Sequence, residues 1–183
     1  GTDGYKCARP ADAGINFGAS LVSLFYGEGD FKRTVQIGTL CGWDSDNPTA
    51  TWGGLIGFML GRSGVEKAFP DKKLSGLYNI SRTRINFPDR TPDLPGDDSF
   101  EMMAQRGLNI IDRVVIEELG GTVDIQKGIW HIPPGGYPII PADADSEDSE
   151  VHLSRTDYHE KLQGFWLAEC IANWTGLVTE MDK

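Results

Sequence analysis

The sequence predicts an all-α fold, a helical bundle. Three observations predict it: apolar residues recur at helical spacing in five stretches, caps or glycines bracket most of them, and on one of them small residues return every fourth position. Ile15, Phe17, Leu21, Val22, Leu24 and Phe25 follow an aspartate cap at Asp12 and give a first helix over Ala11–Tyr26, broken by Gly27-Glu28-Gly29. Asp30 caps a second, Phe31–Leu40, that carries Phe31, Val35, Ile37 and Leu40 and stops before Gly42. A third begins at Pro48, a residue favoured at the first helical position, and runs to Leu60 or about Gly61. Its Gly53, Gly57 and Gly61 each cost about 1 kcal/mol of helix propensity relative to alanine, so that face is expected to gain by close approach of another helix, the one carrying Gly164 and Ala168.

A fourth helix, Phe100–Leu119, contains Met102, Met103, Leu108, Ile111 and Val115 as core residues and ends at Gly120-Gly121. The fifth, Tyr158–Val178, holds Leu162, Phe165, Trp166, Leu167, Ile171, Trp174 and Leu177. Between them, residues 122–132 alternate as a short strand or hairpin, with Val123, Ile125, Ile129 and Trp130 as its apolar members. Residues 69–95, rich in proline, asparagine and arginine, read as a long ordered loop. Pro-Pro-Gly-Gly and the acidic run from Asp143 to Glu150 mark residues 133–157 as a solvated linker, and the run lacks the ligand spacing of an EF-hand loop.

With 183 residues and 39% hydrophobic content, the chain is long enough to bury one core. A formal charge of -10 argues against nonspecific duplex binding, which relies on basic side chains replacing counterions. No apolar run approaches the roughly 20 residues of a membrane span. The start, Gly1-Thr2-Asp3-Gly4, lacks a signal-peptide pattern and reads as internal or processed, which leaves localisation open. Cys7, Cys41 and Cys170 are too scattered for a disulfide scaffold or zinc knuckle and are expected as buried thiols. Asn79 and Asn173 match the glycosylation pattern, but Asn173 falls in an apolar helix. Arg82 and Arg84 are either surface residues or contacts to a diphosphate.

The densest chemistry lies in Trp43-Asp44-Ser45-Asp46-Asn47-Pro48. Two carboxylates two residues apart at a helix entrance, with an amide oxygen beside them, form an oxygen set suited to a hard divalent cation. The same residues have a simpler use, because Asp46 or Asn47 can cap the helix through its first free N–H groups.

Asp30-Phe31-Lys32-Arg33 through Gly42-Trp43-Asp44-Ser45-Asp46-Asn47-Pro48-Thr49-Ala50-Thr51-Trp52-Gly53-Gly54 resembles the Gly-Gly-Asp-Thr-Asp-Thr motif of the ADP-ribosylglycohydrolase family. These are magnesium-dependent all-α hydrolases that remove ADP-ribose from modified targets. The resemblance implies that Asp44 and Asp46 are ligands of two paired Mg2+ ions, with Asn47 standing where the family places a threonine ligand. Leu162-Gln163-Gly164 through Ala172-Asn173-Trp174-Thr175-Gly176-Leu177-Val178-Thr179-Glu180 resembles the family's opening helix, in which Asn173 replaces the usual aspartate. By that resemblance Glu180 is the glutamate at the ribosyl bond, with a catalytic role.

In the family the opening helix comes first and a Thr-Asp-Asp metal motif lies between the two segments; here the order is reversed and no Thr-Asp-Asp occurs. Residues 1–132 therefore resemble the C-terminal portion of such a domain and residues 158–183 its opening helix. The chain is a fragment, a permuted form or noncontiguous pieces, and the bundle is expected to be incomplete in it. The resemblance implies magnesium-dependent cleavage of an ADP-ribosyl glycosidic bond once a missing segment or second chain completes the site, with ADP-ribose or an ADP-ribosylated target as partner. Two alternatives stand beside it: a noncatalytic ADP-ribose-binding or crystallin-like member of the same fold, and a helical interaction module.

Overall fold

The computed structural model describes residues 12–78, 98–134 and 151–180. Asn79, Arg82, Arg84, Cys7 and residues 135–150 of the linker lie outside them. Five helices dominate the described residues, and the strands are few and short. Two compact units share the chain: one holds residues 1–76 and 163–183, the other residues 77–162.

The first unit is helical. α1 (Ala13–Gly27) starts where the Asp12 side chain accepts from the Gly14 N–H at 3.0 Å. It ends at Glu28 and Gly29, both with positive φ. α2 (Phe31–Leu40) starts in the same manner, Asp30 accepting from the Arg33 N–H at 2.7 Å. Gly27 packs so closely on Thr34 that a methyl there would overlap it. α3 (Asp46–Ala68) is tied to α1 by the Trp52 indole N–H, which donates to the Ser20 carbonyl at 2.9 Å. α3 is longer than the sequence predicts. The expected stop at Gly61 is a break with φ 68° and ψ 173°, after which helical geometry resumes to Ala68. Only glycine adopts that backbone at little cost, so the break stays local. Pro48 stands at the third helical position rather than the first, and it is tolerated there because the N–H it lacks has no intrahelical acceptor.

The expected glycine face is present in this unit. Methyl groups at Gly53 and Gly57 would overlap the methyls of Ala172 and Ala168, which lie on the last helix, α5 (Arg155–Gly176). Gly61 joins the same contact, since a methyl on Gly164 would overlap its backbone, but its positive φ takes it out of regular helix.

In the second unit β1 (Leu77–Tyr78) pairs antiparallel with β2 (Asp98–Ser99), and the Ser99 hydroxyl caps α4 (Phe100–Glu117) by accepting from the Met102 N–H at 3.1 Å. The expected hairpin is β3 (Thr122–Asp124) and β4 (Ile129–Ile132), joined by a turn in which Gly128 has positive φ. Ile125 falls in that turn and is 64% exposed, so it is not the inward residue that its alternation predicts. Met102 likewise faces solvent. β5 (Val151–Ser154) adds a third strand through Trp130↔Leu153 and Ile132↔Val151. That strand and the first turn of α5 occupy positions 151–157, which the composition assigns to the linker. Val151 and Leu153 alternate correctly, but only pairing with β4 makes so short a run a strand. Trp130 and Ile132 are buried with Leu108 and Val115 of α4, and Val151, Leu153, Tyr158 and Leu162 pack around them. Asp112 holds this core's polar groups: it accepts from the Trp130 indole at 2.8 Å and from two Arg155 nitrogens at 3.0 and 2.9 Å.

Candidate metal centre

The loop from α2 to α3 turns sharply, with φ of 67° at Gly42 and 65° at Trp43. Glycine accepts that conformation freely, whereas for Trp43 it costs about 1–2 kcal/mol. The turn sets Asp44 immediately before α3. Its backbone carbonyl accepts from the Asn47 N–H at 3.1 Å. The capping alternative is overturned here. Ser45 occupies the cap position in helical conformation with no side-chain cap bond, and Asp46 is already the first helical residue, so neither Asp46 nor Asn47 caps α3.

The carboxylates of Asp44 and Asp46 instead converge with that of Glu180, which lies just past the end of α5. One ligand oxygen from each of the three lies within 4.8 Å of the others. Among the described residues this is the one group of three or more acidic, histidine or cysteine side chains with such spacing. Asn47 is exposed, and its side chain hydrogen-bonds Asp44. Asn173, legible in the sequence only as a replaced aspartate and a glycosylation match within an apolar helix, donates its amide N–H to Asp46 Oδ2 at 3.3 Å. No signal in the sequence marks that contact, because it joins residues on two helices.

Electrostatically the cluster is frustrated. Burial, the Asp46 charge and a hydrogen bond to Asp46 raise the Asp44 carboxyl above its ordinary range, against the opposing bond from Asn47. Burial, then the charges of Asp46 and Asp44, raise Glu180 as well. Asp46 Oδ1 is buried and has no hydrogen-bond partner. Three converging carboxylates, two of them harder to ionise than usual, and one buried oxygen with no donor form an arrangement that a divalent cation would satisfy. Oxygen donors suit magnesium, calcium or manganese over softer ions.

A family model for ADP-ribosylglycohydrolases matches residues 2–102, more than half of the 183. Asp44, Asp46 and Asn47 fall inside that range, Asn173 and Glu180 beyond it. No curated protein matches the chain, and no solved structure does. No helix among the described residues is long and apolar enough to cross a membrane.

Proposed function

Since this chain belongs to the ADP-ribosylglycohydrolase family, we propose that it serves magnesium-dependent hydrolysis of an ADP-ribosyl glycosidic bond, releasing ADP-ribose from a modified target. The observation that carries this reading is the convergence of Asp44, Asp46 and Glu180. The family is metal-dependent, and the acidic triad offers a cation the oxygen ligands it needs. Asp44 and Asp46 would hold magnesium, Asn47 contributing through its bond to Asp44, and a second magnesium would draw on ligands beyond these. Bound there, the metal would supply positive charge to orient the ribose hydroxyls and the attacking water.

The chain's own residues then have separate tasks. Asn173 fixes Asp46 through Oδ2 and leaves Oδ1 for the centre. Glu180, with a proton affinity above that of an ordinary glutamate, suits a group that takes the proton of water as its oxygen bonds to the anomeric carbon. The glycosidic bond breaks on the other side of that carbon, and the leaving nitrogen or oxygen ends with a proton. Because no Thr-Asp-Asp segment occurs in the chain, turnover would draw further ligands from another segment or a second chain. That same observation favours the second reading, a member of the fold that binds ADP-ribose without cleaving it.

Calorimetric titration of the chain with magnesium, then with ADP-ribose, tests the proposal, alongside mass-spectrometric detection of ADP-ribose released from a modified protein. Binding of ADP-ribose that requires magnesium, with release, is expected. Binding without release selects the second reading, and absence of both binding events overturns each.

A further inference from the structure

Packing three carboxylates together is electrostatically unfavourable, so neutral interactions must hold the segments that carry them. Past Gly176 the helical bonding of α5 fades: the Leu177 N–H still reaches the Asn173 carbonyl at 3.0 Å, whereas Val178 and Thr179 bond only three residues back, to Thr175 and Gly176, and on this weakly held end mutual repulsion would most easily carry Glu180 away. Two hydroxyls stand beside the three acids in sequence. Ser45 separates Asp44 from Asp46, and Thr179 directly precedes Glu180. Ser45 is fully buried and caps nothing. Its Oγ donates to the Gly176 carbonyl at 2.8 Å and lies 3.1 Å from Thr179 Oγ1. Thr179 Oγ1 donates in turn to the carbonyl of Thr39, near the end of α2. The two hydroxyl protons share three contacts: they serve the two carbonyls, or one of them turns to join the hydroxyl oxygens, and either hydroxyl can be that donor. Gly176 completes the closure: a methyl there would overlap the Thr49 hydroxyl, the Asp46 Cα and the Ser45 carbonyl, so the end of α5 rests directly on the start of α3.

We propose that Ser45 and Thr179 are a positioning pair that clamps the Glu180 segment onto the Asp44–Asp46 loop and so creates the cation site. The inference rests on the reading that the acidic cluster binds a divalent cation, and it assigns neither hydroxyl a contact with that cation. Each hydroxyl is one residue from a carboxylate, so a small shift of the clamp displaces a ligand by a similar distance. Divalent ions with strict geometry tolerate little of that. The clamp is neutral, so it opposes the repulsion without adding charge to the centre.

Magnesium titration of the full chain tests this with Thr179→Val, which keeps the shape but removes the hydroxyl, and Thr179→Ser, which keeps the hydroxyl. Magnesium affinity should fall about tenfold or more in Thr179→Val, the order expected when support of a metal ligand is lost, and return in Thr179→Ser. Ser45→Ala should weaken binding similarly. Melting temperatures without metal separate this from general destabilisation, since Thr179→Val and Thr179→Ser should melt together. In wild type, magnesium should also slow amide exchange of Val178, Thr179 and Glu180. Equal affinity in wild type and Thr179→Val, or a loss in Thr179→Ser as large as in Thr179→Val, overturns the clamp while leaving the cation reading in place. A wild type that binds no magnesium overturns both. If Thr179→Val does not fold, Ser45→Ala keeps the test, and a magnesium affinity in Ser45→Ala equal to that of wild type overturns the clamp.

Discussion

Gly57 and Gly164 meet backbone to backbone. A methyl on Gly57 would overlap the Gly164 carbonyl and the Ala168 methyl, and a methyl on Gly164 would overlap the Gly57 carbonyl and the chain at Gly61 and Arg62. The contact brings the Asp46 end of α3 toward the Glu180 end of α5, because the same two helices carry Gly53 against Ala172 and Thr49 against Gly176.

Gly57→Leu should therefore destabilise the protein by about 1–3 kcal/mol or more, the scale of overpacking, even though leucine is the better helix former. Gly18→Ala is the control. Gly18 lies in α1 with open space around its Cα, so alanine there should stabilise by up to about 1 kcal/mol. Urea unfolding of both variants checks the pair of signs, and a Gly57→Leu protein as stable as wild type would show that the helices separate at little cost.

Asp44→Asn and Asp46→Asn should leave metal-free stability within about 1 kcal/mol of wild type, because each relieves like-charge repulsion while losing at most one weak favourable contact. Both should weaken magnesium binding by about tenfold or more, since an amide keeps the oxygen but not the charge. Calorimetric titration with parallel melts measures the two effects separately.

The Asp112 network gives a pH dependence. Burial alone would raise this carboxyl, but the hydrogen bonds from Arg155 and Trp130 and the Arg155 charge outweigh it, so its pKa lies below the ordinary range. A group whose folded pKa is depressed contributes stability that is complete above its unfolded value, about 4, and is lost as pH falls through the lower folded value. Asp112→Asn should cost roughly 2 kcal/mol at pH 7, the order of hydrogen bonds to a charged group. The gap to wild type should close only below about pH 4, which denaturant melts at stepped pH would follow.

Burial, then the neighbouring Glu169 charge, pushes the Cys170 thiol up to about 11, and burial raises Cys41 too. At pH 8 only about one Cys170 in a thousand would be the reactive thiolate. Iodoacetamide should label Cys170 far more slowly in the folded protein than in denaturant, as read by peptide mass spectrometry. Equal rates would mean the thiol is freely exposed.

Where local signals sufficed, the sequence was a good guide to the fold. Asp12 and Asp30 cap the helices that they precede, and Gly120-Gly121 closely follows α4, because caps and breakers act within a few residues. Legibility failed where an element depends on a distant partner. Val151–Ser154 is a strand only because β4 lies beside it, and Asp46 belongs to α3 rather than capping it because the turn at Gly42 and Trp43 fixes the entry. The acidic centre was half legible. Spacing marks Asp44 and Asp46, but only family resemblance singled out Glu180, and Asn173 and the Ser45–Thr179 contact depend on which helix ends meet.

Glu180 is separated from Asp46 by 134 residues, 180 minus 46, so the acidic centre closes one of the longest loops the chain has. Long-range closures are entropically costly and tend to form late in folding. A ribosome-bound chain still short of position 180 has no such centre, however well α1 to α3 have formed. Cation affinity would therefore report on whether the segment that carries Glu180 has joined α3, and a metal that binds only that arrangement would stabilise it by mass action over the unfolded chain.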